Sequence, residues 1–211
     1  MAVPVPIRLF HITRLEHLPS IAQHGLCCDA DAHADGRLTV EIGNTEIKDR
    51  RKHRSVPAGP GGMVADYAPF YFAERSPMLF AIHRGNVSTY AEGQVGVVYL
   101  CSTLERVRAL GLPWVATDRN AVLRLAKFTD DQNDLADLID WDIMRVRYWS
   151  DSQDDKERRQ AELLVHRRVP WEAIEFIGTR TEADLSRVRQ ALATLEVSHV
   201  PRSDVRGRWY F

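Results

Sequence analysis

Apolar positions along the chain change period repeatedly, and each change marks a short element. In IRLFHI (7–12), alternation places Leu9 and His11 on one face and Arg8, Phe10 and Ile12 on the other, which predicts a strand. The period then lengthens. Leu15, Leu18, Ile21 and Ala22 recur at helical spacing, Thr13 and Glu16 stand at capping-box distance, and Gly25 suits the position after a last helical turn. Pro19 cannot donate inside a helix, so the regular part is expected to begin near it. Residues 27–45 and 55–69 are expected as loops, the second because Gly and Pro fill six of its fifteen positions. FYF (70–72) predicts a short strand and 76–85 a helix with Ser76 as cap and Pro77 in its first turn. The β-branched run 96–102 predicts a buried strand, 103–110 a helix closed by Gly111, and 172–180 a core strand. Leu185, Val188, Leu192 and Leu195 give 182–195 an amphipathic helical stripe. The interval 117–160 is highly charged and helical in places, with Asp130, Asp131, Asp134 and Asp137 as a solvated face. Strands and helices mix without regular βαβ spacing or a Gly-rich phosphate turn. That predicts the α+β class and tells against a doubly wound nucleotide fold.

Composition changes this picture little. The 211 residues, with no internal repeat or low-complexity linker, suffice for one large domain spanning 1–211. Lys and Arg total 28 against 29 Asp and Glu, so overall charge gives no reason to expect a nucleic-acid or membrane partner. Its distribution is less even: IKDRRKHR (47–54) gathers Lys48, Arg50, Arg51, Lys52 and Arg54 around one Asp, and such a patch can hold a phosphate whatever the total charge. Three cysteines, two of them adjacent, without CxxC or HxxxH spacing, make a disulfide framework or zinc site unexpected and fit a reducing cytoplasm. The first ten residues lack a signal-peptide core, and no run approaches the ~18 apolar residues of a membrane span.

Three places could carry chemistry. His11, Ile12 and Thr13 set ring nitrogens and a hydroxyl at a strand end, where hydroxyls or a phosphate could be held. On these residues alone a satisfied core histidine is the better reading. The basic cluster runs through a Gly/Pro-rich loop into Tyr67, Phe70, Tyr71 and Phe72, a combination that stacking and phosphate recognition of a single strand would use. By spacing, core aromatics beside a surface patch fit equally well. Glu162 stands inside the run Ala161–Leu163–Leu164–Val165. A strand places it with Leu164 and His166, and a helix aligns it with Arg158, Arg159 and His166. Gln160, two residues earlier, would share its side in a strand, and the pair could grip two sugar hydroxyls. No Ser nucleophile elbow, HExxH or P-loop is present, and no metal is expected.

FHIT, IKDRRKHRSVP, GGMVADYAPFYFAERSPMLFAI, GLPWVATDRNAV, YWSD and RRQAELLVHRRVPW occur in an order that resembles the DarT family over nearly the whole chain. These are DNA ADP-ribosyltransferase toxins of DarT–DarG toxin–antitoxin systems. The resemblance implies an ADP-ribosyltransferase fold, two packed β-sheets with surrounding helices around an NAD cleft. It implies transfer of ADP-ribose from NAD+ to a base of single-stranded DNA, expected to be thymidine, with release of nicotinamide. By motif, Arg51 and Glu162 match the catalytic residues. His11, Ile12, Thr13, Ser20, Arg51 and Tyr71 would hold NAD+, and residues 28–36 would fold over it. Residues 117–157 would recognise substrate, with Lys48, Arg54, Arg75, Asn120, Arg147 and Tyr148 toward DNA. Asn120 stands where some relatives have His. The implied partners are single-stranded DNA and the macrodomain antitoxin DarG, for a monomer in the bacterial cytoplasm. The same chemistry on guanine or RNA, or a catalytically silent nucleic-acid-binding module, are the alternatives.

Overall fold

The computed structural model describes residues 3–34, 36, 39–149, 152–197 and 199–211. The first strand, β1 (Arg8–Arg14), runs two residues beyond the predicted one. It enters a 3-10 turn, Leu15–His17, and then helix α1 (Leu18–His24) with Pro19 in its first turn. Thr13 therefore caps no helix. Its Oγ1 meets the His17 ring instead.

The segment 27–45, expected as loop, contains the end of β2 (Leu26–Cys27), helix α2 (Asp29–Ala34) and the start of α3 (Thr45–His53). Asn44 caps α3 by accepting from the Glu46 and Ile47 amides. The acid Glu46 lies in its first turn and the bases Arg50 to His53 in its last, as the helix dipole favours. Strand β3 (Tyr67–Tyr71) begins inside the second expected loop and includes Pro69. Helix α4 (Pro77–His83) has the predicted Ser76 cap, which accepts from the Leu79 amide. Strand β4 (Val97–Thr103) and helix α5 (Leu104–Ala109) fall as predicted.

The charged interval resolves into strands β5 (Trp114–Thr117) and β6 (Phe128–Thr129) and short helices α6 (Leu135–Leu138), α7 (Trp141–Arg145) and α8 (Gln153–Arg158). Glu162 opens strand β7 (Glu162–His166), followed by β8 (Arg168–Val169). The predicted strand 172–180 shortens to β9 (Phe176–Thr179) behind a 3-10 turn at Trp171–Ala173. Helix α9 (Glu182–Ala193), capped by Thr181, buries Leu185, Val188 and Leu192, and the chain ends through β10 (Arg202–Val205).

The strands form an eight-stranded sheet in the order β10-β9-β4-β1-β3-β7-β5-β6, with β2 and β8 as a separate pair. In place of the two packed sheets expected, the eight strands are continuous, as two four-stranded halves joined at β1 and β3. They meet through one register pair, Phe10 with Tyr71, while β1 and β4 pair along seven residues. Pro69 explains why the seam stays short. It has no N–H to give β1, and its carbonyl accepts from His11 Nδ1 at 2.8 Å instead. One hydrophobic core crosses both halves through Leu9, Leu100, Phe70, Leu163 and Val165 and takes in α1, α5 and α9. Elsewhere each half has its own cluster, Phe10–Ile12–Tyr99 with α4 on one and Tyr67–Val115–Leu164 on the other. The interruption in the sheet is where the cleft opens.

Gly25 ends α1 at φ +80°, and a Cβ there would stand 2.7 Å from the Val169 carbonyl oxygen. Only glycine lets α1 turn this closely into the β2–β8 pair. Among the described residues no helix is long and apolar enough to cross a membrane.

Candidate active site

A cleft of about 280 Å3 lies at the seam, lined from β1 by His11, Ile12 and Thr13 and from the other half by Tyr71 and Glu162. Strand geometry decides the question that periodicity left open at Glu162. Leu163 and Val165 point into the shared core and Leu164 packs with Tyr67, so Glu162, paired in register with Tyr71, faces the cleft. The residue is only 2% exposed. Each carboxylate oxygen has a donor: Arg51 Nη1 to Oε1 at 3.2 Å, and the Ala121 backbone N–H to Oε2 at 2.9 Å. Its own amide donates to Thr117 Oγ1.

Arg51 is the inward residue of α3 and is 4% exposed. Its Nε lies 3.3 Å from Asp29 Oδ2, at an angle that gives an ion pair without a hydrogen bond. One guanidinium thus sits between two carboxylates. Burial acts to lower the Arg51 pKa, but Glu162 and Asp29 outweigh it and hold it above the ordinary arginine value. Burial raises the Glu162 pKa, and Arg51 and the Ala121 amide only partly offset this. Asp29 goes the other way: burial opposes its charge, yet Arg51 and Lys48 together keep its pKa below the usual carboxylate range. Lys48 is held by Asp29 Oδ1 at 3.0 Å and Glu41 Oε2 at 2.6 Å.

The rest of the basic cluster has a supporting role that composition did not suggest. Arg50 donates to the Val122 carbonyl, and Arg54 to the carbonyls of Ala121 and Arg124. These contacts fix the turn that presents the Ala121 N–H to Glu162. Asn120, buried in the same turn, donates to Gln160 Oε1 and accepts from the Val122 amide. Gln160 lines the cleft beside Glu162, but its amide is bound by Asn120 and by the Lys156 carbonyl. It braces Asn120 rather than offering both ends to a sugar.

His11 Nδ1 faces a carbonyl, which can only accept, so the proton is on Nδ1 and Nε2 is left as an acceptor. Burial pushes its pKa down to about 4, with the Pro69 hydrogen bond acting in the opposite sense. Between pH 6.5 and about 4 the unfolded chain protonates this histidine and the native protein does not. The native state then binds fewer protons, so this contribution to stability is lost as pH falls through that window. His11→Gln, whose amide can donate to Pro69, is expected to reduce the loss of urea-unfolding stability between pH 7 and pH 5. A slope equal to that of the unmodified protein contradicts this tautomer and its burial.

Ser20 and Arg51 also line the cleft, and so do Lys48 and Asn120, which the motif had set toward DNA. Other expectations are corrected. Tyr67 and Phe70 are fully buried and Phe72 is 6% exposed, so they are core residues and offer no stacking surface. Tyr71 alone of that group reaches the cleft. Arg75, expected toward DNA, is buried instead: it donates to the Tyr210 carbonyl and lies 4.0 Å from the Phe211 ring centroid, an interior packing role. Arg147 and Tyr148, by contrast, are exposed outside the cleft lining, which leaves their expected place toward DNA uncorrected. Asp35, and Ser150 and Asp151 of the 117–157 segment, lie outside the described residues. Asp29, Ala121 and His17 were not found by sequence. A backbone N–H has no side-chain signature, and Asp29 lies in a stretch without periodicity.

Among the solved structures that match this fold along its length are two of one Thermus protein. Thermus sp. 2.9 DarT in complex with ADP-ribosylated ssDNA aligns with a TM-score of 0.93 at 34% identity, covering 100% of this chain and 99% of that one. The same protein in complex with NAD+ aligns with a TM-score of 0.89 at 34% identity, covering 100% of both chains. The fold and cleft are those of an ADP-ribosyltransferase. A DNA ADP-ribosyl transferase from Thermus sp. (strain 2.9) is 35% identical over 208 residues, 99% of this chain and 98% of that protein. The family model described as ssDNA thymidine ADP-ribosyltransferase, DarT, matches residues 10–211, and the chain belongs to the DarT family.

Proposed function

We propose that the chain, as one catalytic domain, transfers ADP-ribose from NAD+ to thymine in single-stranded DNA and releases nicotinamide. The observation that carries this reading is the buried carboxylate of Glu162, fixed by two donors at the floor of a cleft that His11, Ile12, Thr13 and Ser20 also line. The family and the two Thermus complexes support the co-substrate and acceptor.

In this reading His11 Nε2 accepts from NAD+, Thr13 and Ser20 supply hydroxyls, and Tyr71 faces the nicotinamide end. The ribose–nicotinamide bond breaks with its electron pair leaving on nicotinamide, and positive charge develops at the ribose. Glu162, anionic and unable to reorient, stabilises that charge by ~3–4 kcal/mol, as other preorganised groups do. The thymine ring nitrogen attacks the sugar carbon and its proton passes to solvent. Arg51 stays cationic between Glu162 and Asp29, so we assign it electrostatic stabilisation of the deprotonated base and orientation of Glu162, not proton removal. Asn120 and Gln160 border the acceptor side, with Arg54, Arg147 and Tyr148 outside it toward the strand. Lys48, between Asp29 and Glu41 in the cleft, belongs with the dinucleotide.

A chain with both Arg51 and Glu162 in place is a toxin that needs DarG in the same cytoplasm. The test is nicotinamide release from NAD+ with and without DNA. Release is expected to rise with a thymidine-containing single strand and to respond weakly to the same sequence as a duplex or as RNA. Equal release with all three, or none with any single strand, overturns the reading.

A further inference from the structure

Four residues beyond the β1 site motif, His17 sits 5% exposed in the 3-10 turn and borders the same cleft. Both its ring nitrogens are engaged. The Val40 backbone N–H donates to Nε2 at 3.2 Å, and Nδ1 lies 3.0 Å from Thr13 Oγ1. The first contact fixes the second. A backbone N–H can only donate, so Nε2 must be unprotonated, and a neutral imidazole then carries its proton on Nδ1. Nδ1–H therefore donates to Thr13 Oγ1 and occupies one of its acceptor positions. The Thr13 hydroxyl proton is directed away from His17, and among the described residues no other hydrogen bond to that hydroxyl is present. Thr13 is 6% exposed and lines the cleft.

We infer that His17 is a positioning residue for the dinucleotide site: it fixes the Thr13 hydroxyl as a donor into the cleft and ties the Val40–Asn44 wall to the end of β1. The ligand group that matches is an oxygen acceptor, a phosphate or ribose oxygen of NAD+. A hydroxyl free to rotate would spend part of its time pointing elsewhere, and a wall held by His17 is already placed when the ligand arrives. Val40, Glu41, Ile42, Gly43 and Asn44 all line the cleft, so one ring links two of its walls. Burial also keeps the His17 pKa below the ordinary histidine value, consistent with the neutral form that the two contacts require.

This inference rests on the proposed use of NAD+, and a double-mutant cycle separates the two. NAD+ is titrated calorimetrically into the unmodified protein, His17→Ala, Thr13→Val and the double variant. Each single change is expected to weaken binding about 10-fold, the equivalent of one lost hydrogen bond. The double variant is expected to fall well short of the 100-fold loss of an additive pair, because His17 acts on the ligand chiefly through Thr13. Should His17→Ala unfold, His17→Gln tests the same point. Its amide oxygen can accept from Val40 and its amide nitrogen donate to Thr13, and affinity within ~3-fold of the unmodified protein is expected. Unchanged affinity in His17→Ala, an additive loss of about 100-fold in the double variant, or a folded His17→Gln as weak as Thr13→Val overturns the inference. Absence of NAD+ binding by the unmodified protein removes the functional reading, and this inference with it.

Discussion

Glu162→Gln is expected to lower the rate of nicotinamide release by roughly 100- to 1000-fold while leaving the protein folded. The amide has nearly the shape of the carboxylate, and its oxygen can still accept from the Ala121 N–H. What disappears is the negative charge at the position where the ribose becomes positive, together with the acceptor of Arg51 Nη1. Arg51 keeps Asp29 as a counter-ion 3.3 Å away, so the substitution does not strand a buried cation. The loss should fall on kcat far more than on KM, since the charge is needed mainly in the transition state. The same account fixes the acid limb of the pH profile. Burial raises the Glu162 pKa, so the working anion is lost on acidification before an ordinary glutamate would be. The unmodified protein should lose kcat at a pH above the usual carboxylate range. A variant with unchanged kcat, or a rate flat through mildly acidic pH, contradicts the role given to this charge.

Arg51→Met is expected to be severe for a different reason. It leaves Glu162 and Asp29 buried without the cation between them, and removing one partner of a buried ion pair costs about 3–5 kcal/mol. For a chain of this size that corresponds to a fall in Tm of roughly 10 °C. The deficit should depend on pH with a definite sign. Without Arg51, the pKa of Glu162 in the folded protein rises further above its unfolded value, so the folded state takes up a proton more readily than the unfolded state. Acidification from pH 7 to pH 5 should therefore recover part of the lost stability relative to the unmodified protein. Urea unfolding at the two pH values measures this. A deficit below about 1 kcal/mol, or one that grows on acidification, contradicts the description of Arg51 as the shared counter-ion. Activity should be lost as well, because Glu162 then has only the Ala121 N–H to hold it.

These two residues also show what the sequence could convey. Alternation assigned the faces of β1 correctly, and the caps at Ser76 and Gly111 bounded their helices where local chemistry demands. Glu162 was ambiguous because a five-residue strand is too short to separate a period of 2 from one of 3.6. Only its pairing with β3 and β5 settles the matter, and that pairing is non-local. The basic cluster was visible, but its division of labour was not: one guanidinium inward, two holding carbonyls of the 120–124 turn, one ammonium between acids. Spacing cannot show which way a helix faces when every side is charged. Of the aromatics from Tyr67 to Phe72 only Tyr71 is open to the cleft, because β3 lies in the middle of the sheet and packs Tyr67 and Phe70 into the core on opposite faces. Pro69 argued against a strand locally, yet it is what keeps the seam with β1 to a single pair.

The most direct test of the central claim is the intact mass of a single-stranded oligonucleotide with one thymidine, incubated with NAD+ and the protein. The account predicts the addition of one ADP-ribosyl group, located on the thymine base by nucleoside fragmentation, and no addition when that thymidine is replaced. An unmodified oligonucleotide alongside free ADP-ribose, or the group on another base across a varied set of sequences, would contradict it.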